Sequence, residues 1–537
     1  NYLKSKYFKK KNEIFKIDSQ NTYLKLLKKT FYNQKKIYSS QKVFIESFIN
    51  HPSYTIPNCF ISNIISKNKN IELNGILRKG DIKGTQILNS FGIKKIIFIN
   101  DGNIFSRFYF FLKSFTYLKK LSSVDQLIKL KIDKIDFGKA IYEQFIRFKK
   151  NPNIYKIQDE FYILLGQALL LNNQFKRIFK NQNKSLLVQS ETQYFPFRIS
   201  FQNALKFNLK VLSKRGISMT GLRIYKNFSE RNENRNKISR KIFNLYYGSL
   251  KKGHIEKIYR FHSNKINQTF GKDIFHKKND KENSKIIFNN KVDFCRKLKL
   301  NKNYPIVLIL AHELTDGNLV NKWNIFQNDM FFLKETLIKI KKIKKINWVI
   351  KPHPSEEFFN SKITTYTLFD NYSPNFKNIR LLPKNYIIKN PKKIYHCAIT
   401  SHGTAGYEYP SLGIPTIICG DAPYSQLGFN LEPKNKNEYF LLLDEIEYLK
   451  RLNKIQITKS KLFYYLFNEL FVVKNPLMYE TDITMKYDKE KFWFKSISCL
   501  KNINNNNHFI NCINHLINNN NSMLIDIKKD FIRNGKF

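Results

Sequence analysis

The chain has 537 residues, which is too long for one hydrophobic core and indicates two large domains with extensions. Apolar residues make up 42% of it and aromatic residues 15%, so the composition excludes a disordered protein. Its 94 Lys and Arg against 41 Asp and Glu give a formal charge of +53, which favours an anionic lipid surface, an acidic glycan or nucleic acid as a partner.

The basic excess is spread along the chain and accompanies heavy use of Asn, Ile, Phe and Tyr, as AT-biased coding would also produce. The sequence has no helix-turn-helix pattern, zinc-type Cys and His spacing or RNP-like strand, so we predict no nucleic-acid partner. Its six scattered cysteines indicate reduced core thiols. The most apolar window, around 105–115, is broken by Ser, Arg and Lys, so any membrane contact is expected to be peripheral.

In chain order, residues 1–45 are predicted to be a basic extension because they are rich in Lys and Asn. Residues 46–292 alternate apolar runs such as SLLVQS with stretches of helical spacing, which predicts a first Rossmann-like domain. Its clearest helix runs from Asp159 to Phe179. Residues 481–537 are predicted to be a crossover segment and an Asn- and Lys-rich tail.

Residues 293–480 are predicted to be a second Rossmann-like domain. In an open parallel sheet, ligands bind beyond the carboxyl ends of the strands, so we expect function in the loops that follow its strands. The predicted strands are 304–311, 346–351, 378–383, 394–400 and 415–419.

The loop after the second of these strands reads KPHPSE, in which two prolines hold Lys351 and His353 near the strand end. An imidazole can hydrogen-bond a phosphate oxygen, and the lysine supplies a positive charge. The alternative is a proline-shaped surface loop with an exposed histidine. Because a second phosphate-seeking loop follows, the sequence favours phosphate binding.

The loop after the fourth strand reads SHGTAGYEYPSLGIP, whose small and hydroxyl residues let the backbone approach a ligand. A helix starting near Thr404 would direct its N–H groups at phosphate oxygens, assisted by the Ser401 hydroxyl. Glu408 could accept hydrogen bonds from ribose hydroxyls, or be an ordinary helix residue facing solvent. In the next loop, Tyr424 either offers a face to a base or sugar or simply packs.

Together, KPHPSE, SHGTAGYEYPSLGIPTIICG and DAPYSQLGF resemble the capsule polysaccharide biosynthesis family of bacterial glycosyltransferases, and AHELTDGN at 311–318 adds to this. The resemblance covers roughly residues 85–430. That family is similar to transferases of 3-deoxy-manno-octulosonic acid (Kdo), which use a cytidine monophosphate donor, and more distantly to CDP-glycerol glycerophosphotransferases. It implies an α/β fold with two Rossmann-like domains facing across a cleft, the GT-B arrangement. In that arrangement, residues 46–292 would be the acceptor-side domain and residues 293–480 the nucleotide-sugar-binding domain.

Carried onto this sequence, the resemblance implies donor-phosphate contacts at His353, Ser401, Gly403 and Thr404, and nucleoside contact near Glu408. His402 stands where many relatives have a small residue, so it either contacts phosphate or faces solvent.

The implied substrates are a nucleotide sugar, CMP-linked, and a lipid-linked or growing polysaccharide at an anionic inner-membrane surface. The implied location is the cytoplasm, either free or peripheral on the inner face of the membrane. No cofactor is expected, and because no DxD pair could clamp a divalent ion against a diphosphate, we predict metal-independent transfer.

Sugar transfer needs a stabilised leaving phosphate and, in most enzymes, a carboxylate that takes the acceptor proton. The candidates are Glu191 after SLLVQS, Asp136 in DFGKAIYEQFIRF and Asp316 before Gly317, each of which could equally be structural. Two other functions stay open. One is a CDP-glycerol-type glycerophosphotransferase, and the other is a nonenzymatic basic scaffold that binds polysaccharide or membrane.

Overall fold

The chain divides into two units in the computed structural model. The first comprises Asn1–Tyr142, Ile157–Arg231 and Glu469–Phe537, and the second comprises Glu143–Lys156 and Asn232–Asn468. The structure describes residues 18–32, 39–49, 52–182, 184–216, 219–269, 286–319, 322–373, 375–383, 386–479, 489–503 and 507–532.

The strands of the described residues are short, as is usual for parallel sheets covered on both faces. They are β1 Lys42–Glu46, β2 Glu72–Arg78, β3 Ile96–Ile99, β4 Leu186–Gln189, β5 Lys210–Arg215, β6 Met219–Tyr225, β7 Ile286–Phe288, β8 Ile306–Leu310, β9 Asn347–Lys351, β10 Ile379–Leu381, β11 Tyr386–Ile388, β12 Cys397–Thr400, β13 Thr416–Ile418 and β14 Val473–Lys474.

Helices separate most of these strands. They are α1 Asp18–Phe31, α2 Pro52–Lys69, α3 Ile82–Ser90, α4 Ile104–Leu118, α5 Val124–Ile128, α6 Phe137–Lys149, α7 Glu160–Phe179, α8 Phe197–Lys206, α9 Arg240–Gly248, α10 Lys252–Thr269, α11 Lys291–Leu298, α12 Asp329–Ile340, α13 Glu356–Phe359, α14 Thr365–Tyr372, α15 Pro391–Ile394, α16 Ala405–Ser411, α17 Lys436–Asp444, α18 Lys454–Tyr465, α19 Lys489–Lys501 and α20 Asn507–Asn518. None of the helices in the described ranges is long and apolar enough to cross a membrane.

The first unit is built on a seven-stranded sheet in the order β14-β6-β5-β4-β1-β2-β3. Strands β1 to β5 are parallel to one another. At one edge, β6 is antiparallel to its neighbour β5, and β14 is antiparallel to β6. Connections leave β1 toward β2 and β3 on one side and reach β4 and β5 on the other. The strand order therefore reverses between β1 and β4, which is the switch point where open sheets bind ligands.

Both ends of the chain contribute to the core of this first unit. Tyr23 of α1 is buried, with its ring 5.2 Å from that of Trp493 in α19, and Phe509 of α20 stacks on Phe60 at 5.6 Å. The predicted basic extension and Asn- and Lys-rich tail therefore contain α1 and α20, which pack in this core, and α19 of the predicted crossover segment packs there as well. Apolar residues at helical spacing give each a face to bury, although the residues between them are Lys and Asn.

The second unit is built on a five-stranded parallel sheet in the order β10-β9-β8-β12-β13. All five predicted strands are present, and the strand order reverses between β8 and β12. Helix α12 begins at Asp329 because Asn328 caps it by accepting the N–H of Phe331. The Rossmann-like α/β prediction is confirmed for both units.

The second unit begins earlier than the boundary predicted at 292. Strand β7 pairs in parallel with β11, which ties residues 286–288 to the second unit. Helix α10 also belongs there, since Tyr259 hydrogen-bonds Thr458 of α18 at 2.9 Å and His262 bonds Ser411 of α16 at 2.7 Å. The tertiary contacts of β7 and α10, rather than local composition, decide which unit these segments join.

Candidate functional site

Three histidines meet at the carboxyl edge of the second unit's sheet. Leu310 of β8 pairs with both Thr400 of β12 and Lys351 of β9, so the loops after these strands leave the sheet side by side. The rings of His312 and His402 are 4.2 Å apart between centroids, and those of His312 and His353 are 6.4 Å apart. The loops that the sequence selected for phosphate binding therefore converge at the switch point between β8 and β12.

His312 is held as a neutral ring by bonds to the turn beside it. Its Nε2 atom lies 3.1 Å from the Thr400 hydroxyl and accepts the backbone N–H of His402 at 3.3 Å. The Thr400 oxygen accepts the N–H of Gly403 at 3.3 Å, which leaves its own hydrogen to donate to His312. Burial, together with repulsion from His402, lowers the pKa of His312 to about 3. The ring hydrogen consequently belongs on Nδ1.

His402 forms a buried pair with Asp329, the first residue of α12. The His402 Nε2 atom is 3.3 Å from Asp329 Oδ2, and Asp329 is only 1% exposed. Burial lowers the pKa of His402, but attraction to Asp329 outweighs it and the net shift is upward. Burial raises the pKa of Asp329, but His402 and His312 outweigh it and the net shift is downward. His402 thus faces an internal carboxylate rather than solvent.

This pair predicts a bell-shaped pH dependence of stability. The contribution of His402 to the free energy of unfolding is fully present below its ordinary pKa of 6.5 and is lost as the pH rises through the raised value. The contribution of Asp329 is present above 3.8 and is lost as the pH falls through the lowered value. Urea unfolding of the wild type and of His402→Gln across pH measures this. We expect the variant to lose the alkaline decline, and an unchanged decline would contradict the pairing.

His353 is positioned as a hydrogen-bond donor. Its Nδ1 atom accepts the backbone N–H of Ser355 at 3.3 Å and lies 2.5 Å from the Ser355 hydroxyl. With Nδ1 used as an acceptor, the ring hydrogen of the neutral form lies on Nε2. Lys351, the last residue of β9, is half-buried at the same strand end.

The turn that follows β12 is tight because large groups surround it. A Cβ atom on Gly403 would lie 3.2 Å from Cε1 of His312, closer than side chains ordinarily pack. Ser401 is buried, Thr404 is exposed and Glu408 is half-buried on α16. Helix α16 has only seven residues, so the dipole expected at its start is that of two turns.

Tyr424 does not offer its ring to a ligand. It is 1% exposed, and its ring packs 5.6 Å from those of both Tyr407 and Phe463. Its hydroxyl donates to the carbonyl of Gly403. The prediction of a base or sugar contact is therefore wrong, because the ring is buried and the hydroxyl group stabilises the turn after β12.

Histidine and carboxylate atoms at this edge also have the chemistry of metal ligands. Donor atoms of His312, Asp329 and His402 lie within 4.8 Å of one another, and two imidazoles with a carboxylate suit Zn²⁺ or a similar ion. The Nε2 atom of His312 already accepts an N–H, however, and that of His402 faces Asp329. These internal bonds favour a hydrogen-bonding role over ligation.

The predicted carboxylate Asp316 lies in the same unit and forms an ion pair. Its Oδ1 atom is 3.4 Å from Nε of Arg147, and both side chains are partly exposed. Gly317 follows with φ +75°, a left-handed conformation that turns the chain directly after it. A role for Asp316 in transfer stays a prediction.

The first unit carries its own pair of carboxyl groups at its switch point. Ile45 of β1 pairs with Val188 of β4, so Glu46 and Glu191 emerge from neighbouring strand ends. Glu191 is 8% exposed and accepts the N–H groups of Thr192 and Gln193 at 2.8 and 2.9 Å. Glu46 is 2% exposed and accepts the Ser200 hydroxyl.

These two carboxyl groups differ in what surrounds them. Burial raises the pKa of Glu46 well above its usual value, and the charge of Glu191 raises it further against the hydrogen bond from Ser200. A carboxyl group with a raised pKa, beside a second one that accepts hydrogen bonds, is a common arrangement for acid–base chemistry. Of these two carboxyl groups, the sequence pattern indicated Glu191 alone. Sequence reasoning missed Glu46 because it ends the apolar run KVFIE, which spans the predicted boundary between the basic extension (1–45) and the first domain.

Asp136 is held by a closed set of partners before α6. The side-chain amide of Gln202 donates to its carboxylate at 3.0 Å and accepts its backbone N–H at 2.8 Å. Lys131 and Arg231 each place a nitrogen 3.8 Å away. These bonds account for the buried charge structurally, and a catalytic role for Asp136 stays a prediction.

The fold and its strand-end residues define a protein of two Rossmann-like units, each with polar side chains at its switch point. No protein-family model matches the chain, and no curated protein matches it. Among solved structures, it is similar to the β-Kdo 2,4-transferase of KpsC from Thermosulfurimonas dismutans, with 12% identity over 52% of this chain and 79% of that chain and a TM-score of 0.32.

Two further structures are similar in the same way. The β-Kdo 2,7-transferase of the same KpsC has 12% identity over 54% of this chain and 80% of that chain, with a TM-score of 0.31. A UDP-GlcNAc 2-epimerase from Methanocaldococcus jannaschii has 12% identity over 79% of this chain and 97% of that chain, with a TM-score of 0.26. Kdo transferases, which the sequence motifs also resemble, are thus among the similar structures.

Proposed function

We propose that the chain is a GT-B-type glycosyltransferase that transfers a sugar from a nucleotide-activated, CMP-linked and Kdo-like donor to a bacterial capsule or surface polysaccharide. The observation that supports this most is the convergence of His312, His353 and the turn after β12 at a sheet switch point. Nucleotides bind at such points in doubly wound folds. The hydrogen-bond donors gathered there suit the oxygens of a phosphate.

In this proposal, the second unit binds the donor. The Nε2–H of His353 and the hydroxyls of Ser401 and Thr404 donate to phosphate oxygens, and Lys351 supplies a positive charge. Gly403 lets the ligand approach the backbone, and Glu408 accepts hydrogen bonds from the ribose. His402 and Asp329 stabilise the turn after β12, so His402 contributes to phosphate binding indirectly. Donors fixed before the reaction stabilise a leaving phosphate without a metal ion.

The first unit supplies the group that exchanges a proton with the acceptor hydroxyl. Glu46 and Glu191 are the leading candidates because they stand at the switch point of that unit's sheet. Asp136 and Asp316 rank behind them, since both are committed to ion pairs.

Calorimetric titration with CMP, CDP, UDP and GDP tests the donor site. We expect selective binding of a cytidine nucleotide, and at least about a tenfold weaker affinity in His353→Ala, because a hydrogen bond to a charged group is lost. His254→Ala, which removes a half-buried histidine of α10 in the same unit, is the matched control and should bind as the wild type does.

The same titration, combined with turnover assays, separates the alternative functions. Absence of binding by every nucleotide would sink the enzyme proposal and favour a nonenzymatic scaffold. Turnover of CDP-glycerol, but of no CMP-sugar, would indicate a glycerophosphotransferase. Binding and turnover that disappear after EDTA treatment and return with Zn²⁺ would contradict the metal-independent proposal and point to His312, Asp329 and His402 as ligands.

A further inference from the structure

Helix α4 of the first unit presents an apolar face to solvent. Phe105 is 80% exposed and Ile104 75%, which is unusual for such large apolar side chains. A contiguous apolar patch on the surface of a folded protein commonly marks a binding surface. The exposed apolar residues of this face, named here the α4 face, are Ile104, Phe105, Phe108, Tyr109, Leu112 and Phe115.

The α4 face is one continuous side of a firmly held helix. With residues about 100° apart around the axis, its six residues span an arc of about 140°. The opposite side packs on α7, where Gly166 admits the α4 backbone so closely that a Cβ would lie 3.1 Å from Cα of Phe111. Ser114 and Leu118 are buried on that side. The apolar face therefore stands outward in a fixed orientation.

The charged residues within α4, and the two lysines that follow it, are all basic. Between residues 104 and 120 the chain has no Asp or Glu, whereas Arg107, Lys113, Lys119 and Lys120 are basic. Arg107 and the two terminal lysines are exposed, and Lys113 is partly exposed. A helix with aromatic residues on one face, whose own charged residues are all basic, has the composition of helices that lie in the interface of an anionic bilayer.

We propose that the α4 face docks the protein on an anionic lipid bilayer, with the helix lying in the plane of the interface. The aromatic and aliphatic side chains enter the boundary between headgroups and acyl chains, while the basic residues remain among anionic headgroups. A lipid surface fits better than a protein partner because one helix combines the apolar side chains with charged residues that are all basic. The proposal uses no residue of the nucleotide site, so it stands independently of the proposed transferase activity.

Vesicle sedimentation with the full chain tests this docking. The vesicles are phosphatidylcholine alone and phosphatidylcholine containing phosphatidylglycerol. We expect the wild type to sediment with the second kind and the double variant Phe105→Ser/Phe108→Ser to bind at least about tenfold more weakly, since two phenyl groups no longer enter the bilayer. Both positions are exposed, so folding should be unaffected, which circular dichroism and an unchanged nucleotide titration verify.

A matched control shows whether the effect belongs to α4. The double variant Leu441→Ser/Tyr448→Ser removes two side chains of the second unit that are 60% and 75% exposed, and it should sediment as the wild type does. Equal loss in both double variants, or undiminished sedimentation of the α4 variant, would overturn the proposal and leave overall charge as the cause. If the wild type ignores both kinds of vesicle but self-associates in ultracentrifugation through the α4 face, a second copy is the occupant and the proposal is wrong.

Discussion

Replacing Asp329 with alanine is expected to lower the free energy of unfolding by about 3–5 kcal/mol and to abolish nucleotide binding. Asp329 is 1% exposed and faces Nε2 of His402 at 3.3 Å, so its removal leaves a buried imidazole without its counter-charge. The N–H of Asp329 also bonds the side chain of Asn318 at 2.9 Å, which fixes the start of α12. Urea unfolding and calorimetric titration of the variant measure both effects.

A double-mutant cycle with His402→Ala identifies the cause of that loss. If the two residues act as a pair, the double variant should lose much less stability than the sum of the two single variants. Asp329→Asn is the conservative control, because it keeps the volume and a hydrogen-bonding oxygen while removing the charge. Additive losses in the cycle would show that Asp329 supports the helix alone and that the turn after β12 does not depend on it.

Replacing Glu46 with glutamine is expected to lower turnover of a CMP-sugar by about 100-fold or more while leaving nucleotide affinity unchanged, as general acid–base groups do. Glutamine resembles the protonated carboxyl in shape and can still accept the Ser200 hydroxyl, but it cannot exchange a proton. Because Glu46 belongs to the first unit and the proposed donor site to the second, an effect on turnover without one on affinity is the expected signature. Steady-state kinetics together with calorimetry checks it.

Glu72→Gln is the matched control for this variant, since Glu72 is a buried carboxyl at the amino end of the neighbouring strand β2, bonded to Lys95. It should keep near wild-type turnover. A second readout uses stability. Because the pKa of Glu46 is raised in the folded state, its contribution to the free energy of unfolding is fully present below pH 4.5. That contribution is lost as the pH rises through the folded-state pKa. The glutamine variant should lack that decline, and unchanged turnover with an unchanged decline would remove Glu46 from the site.

Local pattern was enough for the architecture of the second unit. Runs such as PIVLILA and NWVIK are apolar at nearly every position, because strands covered by helices on both faces bury every side chain. The turn residues after them, KPHP and SHGTAG, mark the carboxyl ends. Since the carboxyl ends of parallel strands share one edge, the sequence was enough to predict that His353 and the turn after β12 lie at the same edge of the sheet.

Side-chain environment could not be predicted in the same way. Tyr424 has an aromatic ring that could stack on a ligand, and only its burial against Tyr407 and Phe463 shows that it supports the turn after β12. Asp329, the first residue of α12, lies 73 positions before His402 in the chain, and no rule of sequence spacing links the two residues. Helices α1 and α20 looked like solvated tails because their Lys and Asn residues dominate the composition, yet each buries a face in the first core.

The sequence by itself determined the succession of strands and helices and the loops where phosphate-seeking residues stand, because hydrophobic period and turn chemistry are local properties. Only the tertiary structure decided that His402 is paired with Asp329, that Glu46 stands beside Glu191, and that α4 shows its aromatic face to solvent. Those outcomes depend on burial and on contacts between distant segments, which change the ionisation and the availability of a side chain without leaving a mark in its neighbours along the chain.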